Sequence, residues 1–115
     1  MPNPVVHFEI AGSDGKKLQD FYSGVFGWAI NSENPMNYGM VEAQGSGIAG
    51  GITGDEGGSG VRVYIEVDDT DAYLKKVESA GGKIVMPTTD IGMVVMAQFT
   101  DPSGNLVGII KAGSM

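Results

Sequence analysis

The sequence predicts an α+β fold built from two βαβββ modules, a curled mixed sheet with helices on its outer face and a half-barrel cleft within. Three observations predict it. First, V-V-H-F-E-I (5–10) and V-R-V-Y-I-E-V (61–67) alternate polar and apolar residues with the period of a strand. Second, each is followed by a capped stretch at helical spacing and then by three short strand-like runs. Third, the two series superpose at a constant offset of 55 residues, which carries Gly27 onto Gly82, Tyr22 onto Val77 and His7 onto Arg62. That period is too long for a solenoid repeat and suits a duplicated module.

The elements follow in order. In 5–10, Val6, Phe8 and Ile10 point one way while Val5, His7 and Glu9 point the other. Ser13 or Asp14 caps a helix over Lys16–Val25, whose apolar residues Leu18, Phe21, Tyr22 and Val25 share a face. Gly24 and Gly27 mark its end, and W-A-I-N reads as a short strand, followed by strands at 37–43 and 47–53. Module one therefore spans about 4–53, and G-D-E-G-G-S-G (54–60) is a glycine-rich linker. Module two, about 61–112, opens with the second alternating strand. D-D-T-D caps a helix running to about Ala80. K-I-V-M-P (83–87) is a strand stopped by proline, and strands at 93–100 and 105–111 are joined by the turn D-P-S-G. The whole is expected to form a single domain.

Composition limits the function classes. The chain of 115 residues is 42% hydrophobic and carries a net charge of −7 from dispersed acidic residues. Such a surface repels phosphate backbones, so neither nucleic acid nor an anionic membrane is an expected partner. No apolar run approaches the roughly 20 residues that cross a bilayer, and the N-terminus does not read as a signal peptide, so a cytoplasmic protein is expected. With no cysteine, disulfides, thiolate zinc sites and thiol nucleophiles are excluded. The G-S-G-I-A-G run (45–50) has dinucleotide-fingerprint spacing but precedes more glycines, not a helix, and is set aside.

Alternation points to a site. If the apolar faces of 5–10 and 61–67 pack on helices, His7, Glu9, Arg62, Tyr64 and Glu66 are left facing the cleft. A plainer alternative is an exposed sheet face on which Arg62 pairs with Glu9 or Glu66. Trp28, Tyr38, Met40, Met93, Met96 and Gln98 are further candidates for the walls, and flexible methionines suit an adaptable pocket as well as they suit a core.

The stretches V-V-H-F-E-I, F-Y-S-G-V-F-G-W, Y-I-E-V-D-D-T-D…G-G-K-I and F-T-D-P-S-G-N, in that order, resemble the vicinal oxygen chelate superfamily. This group contains glyoxalase I, bleomycin-resistance proteins and extradiol dioxygenases. The resemblance implies paired βαβββ modules, frequent homodimers and, in catalytic members, one divalent metal held by the first and last strands of each module. Carried onto this chain, those positions are His7, Gly50 or Gly51, Arg62 and Gly108. Glycine has no ligating side chain and arginine is a permanent cation, so His7 is the one metal-ligating side chain among those positions.

The expectation is therefore a homodimeric small-molecule binding protein with no cofactor. It would hold a planar or aromatic, possibly anionic ligand with His7, Glu9, Trp28, Tyr38, Arg62, Tyr64, Glu66, Met96 and Gln98. The alternative is an enzyme of lyase, isomerase or dioxygenase type. It would use His7 as general base without metal, or bind one divalent metal atypically through His7, Glu9 and Glu66. A third reading, a domain that mainly mediates partner contacts, also stands.

Overall fold

A computed structural model describes residues 2–54 and 59–114. It contains two helices and eight strands in a mixed α+β arrangement, in the predicted order. Residues 55–58 of the predicted linker lie outside the described residues. The chain divides into two compact units, His7–Arg62 and the residues up to Val6 together with those from Val63 onward.

The unit His7–Arg62 carries most of the first module. Strand β1 (Val5–Gly12) leads through Asp14, whose carboxylate accepts from Lys17 N, into helix α1 (Gly15–Phe26). Gly27 ends the helix with φ of 71°, a left-handed conformation that glycine adopts without penalty. Strands β2 (Ile30–Asn31), β3 (Gly39–Val41) and β4 (Ala49–Gly54) follow. β4 returns parallel to β1, pairing Phe8 with Gly50 and Glu9 with Gly51, and β3 lies antiparallel on the far side of β4. Ala11, Val41 and Ile52 are buried here, and α1 adds the buried Gln19. The Gln19 amide donates to Ile52 O at 2.9 Å, satisfying a polar group that would be costly if unpaired.

The second unit repeats the plan. Strand β5 (Gly60–Val67) precedes Asp69, the cap of helix α2 (Thr70–Ser79). Strands β6 (Lys83–Asp90), β7 (Val95–Thr100) and β8 (Leu106–Lys111) complete it. β8 is parallel to β5 and antiparallel to β7, as β4 is to β1 and β3. Val67, Leu74, Ala97 and Ile109 form the core, with Ile65, Tyr73 and Phe99 packed around them, so one sheet face is covered by α2. The turn after β7 is closed by Asp101, whose carboxylate accepts from Ser103 N, Asn105 N and the Asn105 amide, each at 2.9 Å.

Two expectations are corrected. Pro87 does not stop β6, which continues to Asp90; proline removes one backbone donor, and it falls where the pairing with β7 shifts register. Val61 does not pack under a helix, being 70% exposed at the start of β5. No helix among the described residues is long and apolar enough to cross a membrane.

Candidate functional site

In the unit His7–Arg62, the alternation of β1 sets His7 and Glu9 on the face opposite Phe8. Tyr38, one residue before β3, reaches over that face. Its hydroxyl lies 3.0 Å from His7 Nε2 and donates to Glu9 Oε2 at 3.0 Å. The other oxygen of Glu9, Oε1, is 3.3 Å from Nε of Arg62, and these two side chains are only 13% and 10% exposed. Four sequence-predicted residues thus form one hydrogen-bonded and ion-paired chain, sheltered enough that each charge depends on its partner. The His7 and Tyr38 rings are nearly parallel, 16° apart with centroids at 6.4 Å. Burial pushes the His7 imidazole below its ordinary pKa, favouring the neutral ring at physiological pH.

Tyr38 is placed by residues that sequence reasoning passed over. The Asn34 side chain brackets its backbone, accepting from Tyr38 N at 2.9 Å and donating to Tyr38 O at 2.7 Å. Gln19 donates to Asn37 O at 3.2 Å, and Asn37 itself takes a left-handed φ of 53°. Asparagine tolerates that conformation, and the turn residues N-P-M-N were the available signal. Gly51 completes the placement, because a Cβ there would run into the Tyr38 ring. The neighbouring Gly50 is covered in the same way by Phe8, on the opposite face.

The second unit repeats this device. A Cβ on Gly108 would meet the Tyr64 ring. Tyr64 is buried, and its hydroxyl accepts from the Gln98 amide at 3.0 Å. Tyr64, Gly108 and Gln98 form one row across β5, β8 and β7, and Glu66, Ile110 and Met96 form the next. Tyr64, Glu66, Met96 and Gln98 therefore share the face turned away from α2.

The remaining candidates are placed differently. Met40 pairs with Gly51 in the row of Glu9 and is half exposed, while Met93 lies in the exposed loop before β7. Trp28 does not join His7 and Glu9. It stacks on Tyr22 of α1 at 5.3 Å and contacts Phe8 and Phe26, on the helix side of β1. A cleft of about 280 Å³ at the N-terminus of α2, lined by Thr70, Thr88 and Lys111, holds none of the predicted residues. Among the described residues, no three His, Cys, Asp or Glu side chains gather as a metal site would require.

Comparison with known proteins is consistent with this architecture. A family model described as Glyoxalase/Bleomycin resistance protein/Dioxygenase superfamily matches residues 5–109. The anthracycline biosynthesis protein DnrV of Streptomyces peucetius is 29% identical over 99% of this chain and 49% of its own. The putative glyoxylase CFP32 of Mycobacterium tuberculosis is 33% identical over 90% of this chain and 44% of its own. The chain thus spans about half the length of these relatives. Among solved structures, a superfamily member from Vibrio splendidus matches with a TM-score of 0.64 and 21% identity, covering 96% of this chain and 98% of that one. Methylmalonyl-CoA epimerase from Mycobacterium tuberculosis matches with a TM-score of 0.68 and 19% identity, covering 93% and 86%. The two βαβββ modules and a family match running through nearly the whole chain place this protein in the glyoxalase/bleomycin resistance protein/dioxygenase superfamily.

Proposed function

We propose that this protein binds a planar or aromatic small molecule without a metal ion, through the face that carries His7, Glu9, Tyr38 and Arg62. The chain of contacts from His7 through Tyr38 and Glu9 to Arg62 carries this reading. It presents polar groups of fixed direction beside a tyrosine ring, as small-molecule sites do. The donor chemistry does not fit a divalent cation. Positions 51 and 108 are glycines covered by tyrosine rings, and Glu9, the nearest carboxylate to His7 in the chain of contacts, is paired with a guanidinium. That ion pair also removes the reason to demand an anionic ligand, since Glu9 already compensates Arg62. A planar molecule with neutral polar groups suits the site better. The relative named for anthracycline biosynthesis agrees, because anthracyclines are planar polycyclic aromatics.

A second reading is supported by His7 alone. An imidazole kept neutral by burial can act as a general base, so a metal-free proton-abstracting enzyme on the same residues is the alternative. We also propose that the protein works as a homodimer, an arrangement supported by an exposed apolar face of α1 formed by Phe21, Val25 and Phe26.

Thermal unfolding tests the binding reading. A hydroxylated anthraquinone at 100 times its dissociation constant is expected to add about 2.7 kcal/mol of stability, while Mn, Fe, Zn or Ni salts add nothing. Stoichiometric metal uptake with a matching rise in Tm would refute metal independence. Conversion of such a compound, lost in His7→Ala, would establish the enzyme in place of the binder.

A further inference from the structure

We infer that Tyr38 is the positioning residue of this site: its hydroxyl holds the chain's single histidine, His7, in the tautomer protonated on Nε2, and Gly51 is glycine so that it can. The inference rests on reading His7 as the polar group of a ligand site, but its test needs no ligand.

A phenol carries one proton. Glu9, paired with Arg62, is a carboxylate and can only accept, so the Tyr38 proton goes to Glu9 Oε2 at 3.0 Å. Toward His7, at 3.0 Å, the same oxygen must accept, and the proton in that hydrogen bond is the imidazole Nε2–H. A neutral ring protonated on Nε2 has its lone pair on Nδ1, so the network decides which nitrogen can take a proton. The geometry depends on two further features. Asn34 bonds both backbone groups of Tyr38, and the Tyr38 ring occupies the space a Cβ on Gly51 would need. A methyl group at position 51 therefore acts on His7 through Tyr38, without changing either residue.

Nitrogen-15 spectra of the imidazole, recorded on the ligand-free full chain at about pH 8, where an imidazole is neutral, read one histidine only. The wild-type ring is expected to show a pyrrole-like Nε2 and a pyridine-like Nδ1. Tyr38→Phe and Gly51→Ala are each expected to lose that order, giving averaged positions or the opposite tautomer. Tyr73→Phe, a control in the other compact unit, is expected to keep it. A wild-type ring protonated on Nδ1 would overturn the inference, as would Tyr38→Phe and Gly51→Ala spectra matching wild type. Should Tyr38→Phe not fold, the wild-type pattern and Gly51→Ala decide. A failed ligand screen would remove the binding reading and leave the tautomer result standing, so the two fail separately.

Discussion

Tyr38 lies where any side chain on Gly51 would have to go. Tyr64 stands in the same relation to Gly108 in the second module. In both places a strand glycine serves as a floor for an aromatic ring whose hydroxyl is hydrogen-bonded, to Glu9 in one case and Gln98 in the other. Of the glycines where the resemblance places metal ligands, Gly51 and Gly108 are thus packing requirements of two tyrosines, and Gly50 is one of Phe8.

Adding a methyl group at those floors should be destabilising. Gly51→Ala and Gly108→Ala each force a ring out of its seat, and overpacking of this kind costs about 1–3 kcal/mol. Gly24 gives the opposite sign. It lies in α1, a Cβ there meets nothing within 4 Å, and alanine in a helix interior is favoured by about 1 kcal/mol. Urea unfolding of the three variants should therefore show two midpoints below wild type and one above it.

The Glu9–Arg62 pair makes a different prediction. With side chains 13% and 10% exposed, neither charge can be left alone cheaply. Arg62→Met alone should cost about 3 kcal/mol, because the Glu9 carboxylate stays sheltered without its cation. Adding Glu9→Gln removes the stranded charge while keeping an acceptor for Tyr38. The double variant should then lose less than the sum of the single losses, with a coupling of about 1–3 kcal/mol. Additive losses in a double-mutant cycle would mean the pair contributes nothing as a pair.

How much of this was legible in the sequence depended on whether the signal was local. Alternation separated His7 and Glu9 from Phe8 correctly, because a strand's side chains obey a period of two whatever surrounds them. The same rule put Tyr64 and Glu66 on the face away from α2, which the strand register shows them sharing with Met96 and Gln98. Trp28 escaped it, since it precedes a strand of only two residues and no period exists to assign its face. Tyr38 was identified as a candidate, but its seat on Gly51 and its clamp by Asn34 were not. A ring lying on a glycine of another strand is a tertiary contact, invisible to spacing along the chain. Pro87 misled for a related reason: proline ends a central strand, whereas a shifted register beside it lets the strand continue.

Acidification should weaken the fold through His7. Burial lowers its pKa in the native state, so as pH falls the unfolded chain, titrating near the ordinary value of about 6.5, takes up a proton first. The contribution is therefore complete above about pH 6.5. It is lost progressively as pH falls toward the lower native pKa, and changes no further below it. His7→Gln, whose amide can still donate to Tyr38, removes the titrating group. The stability of wild type relative to this variant should then decrease on acidification across that window. A difference that stays flat or grows toward acid pH would show that burial does not control the ring.

The surface of α1 predicts self-association. Phe21, Val25 and Phe26 are 56%, 59% and 61% exposed, although they sit on a short helix whose Leu18 packs against Gly12 of β1. Tyr22 and Trp28 extend the patch, stacked at 15°. A chain that leaves three large apolar side chains exposed to water on one helix loses their hydrophobic stabilisation unless something covers them. If a second copy covers them, sedimentation should give the mass of two chains, and Tm should rise with protein concentration. Phe21→Lys combined with Phe26→Lys places two cations in that contact and should yield a monomer whose Tm is independent of concentration. A wild-type chain that sediments as a monomer at high concentration, or a double variant that stays dimeric, would remove α1 from the interface.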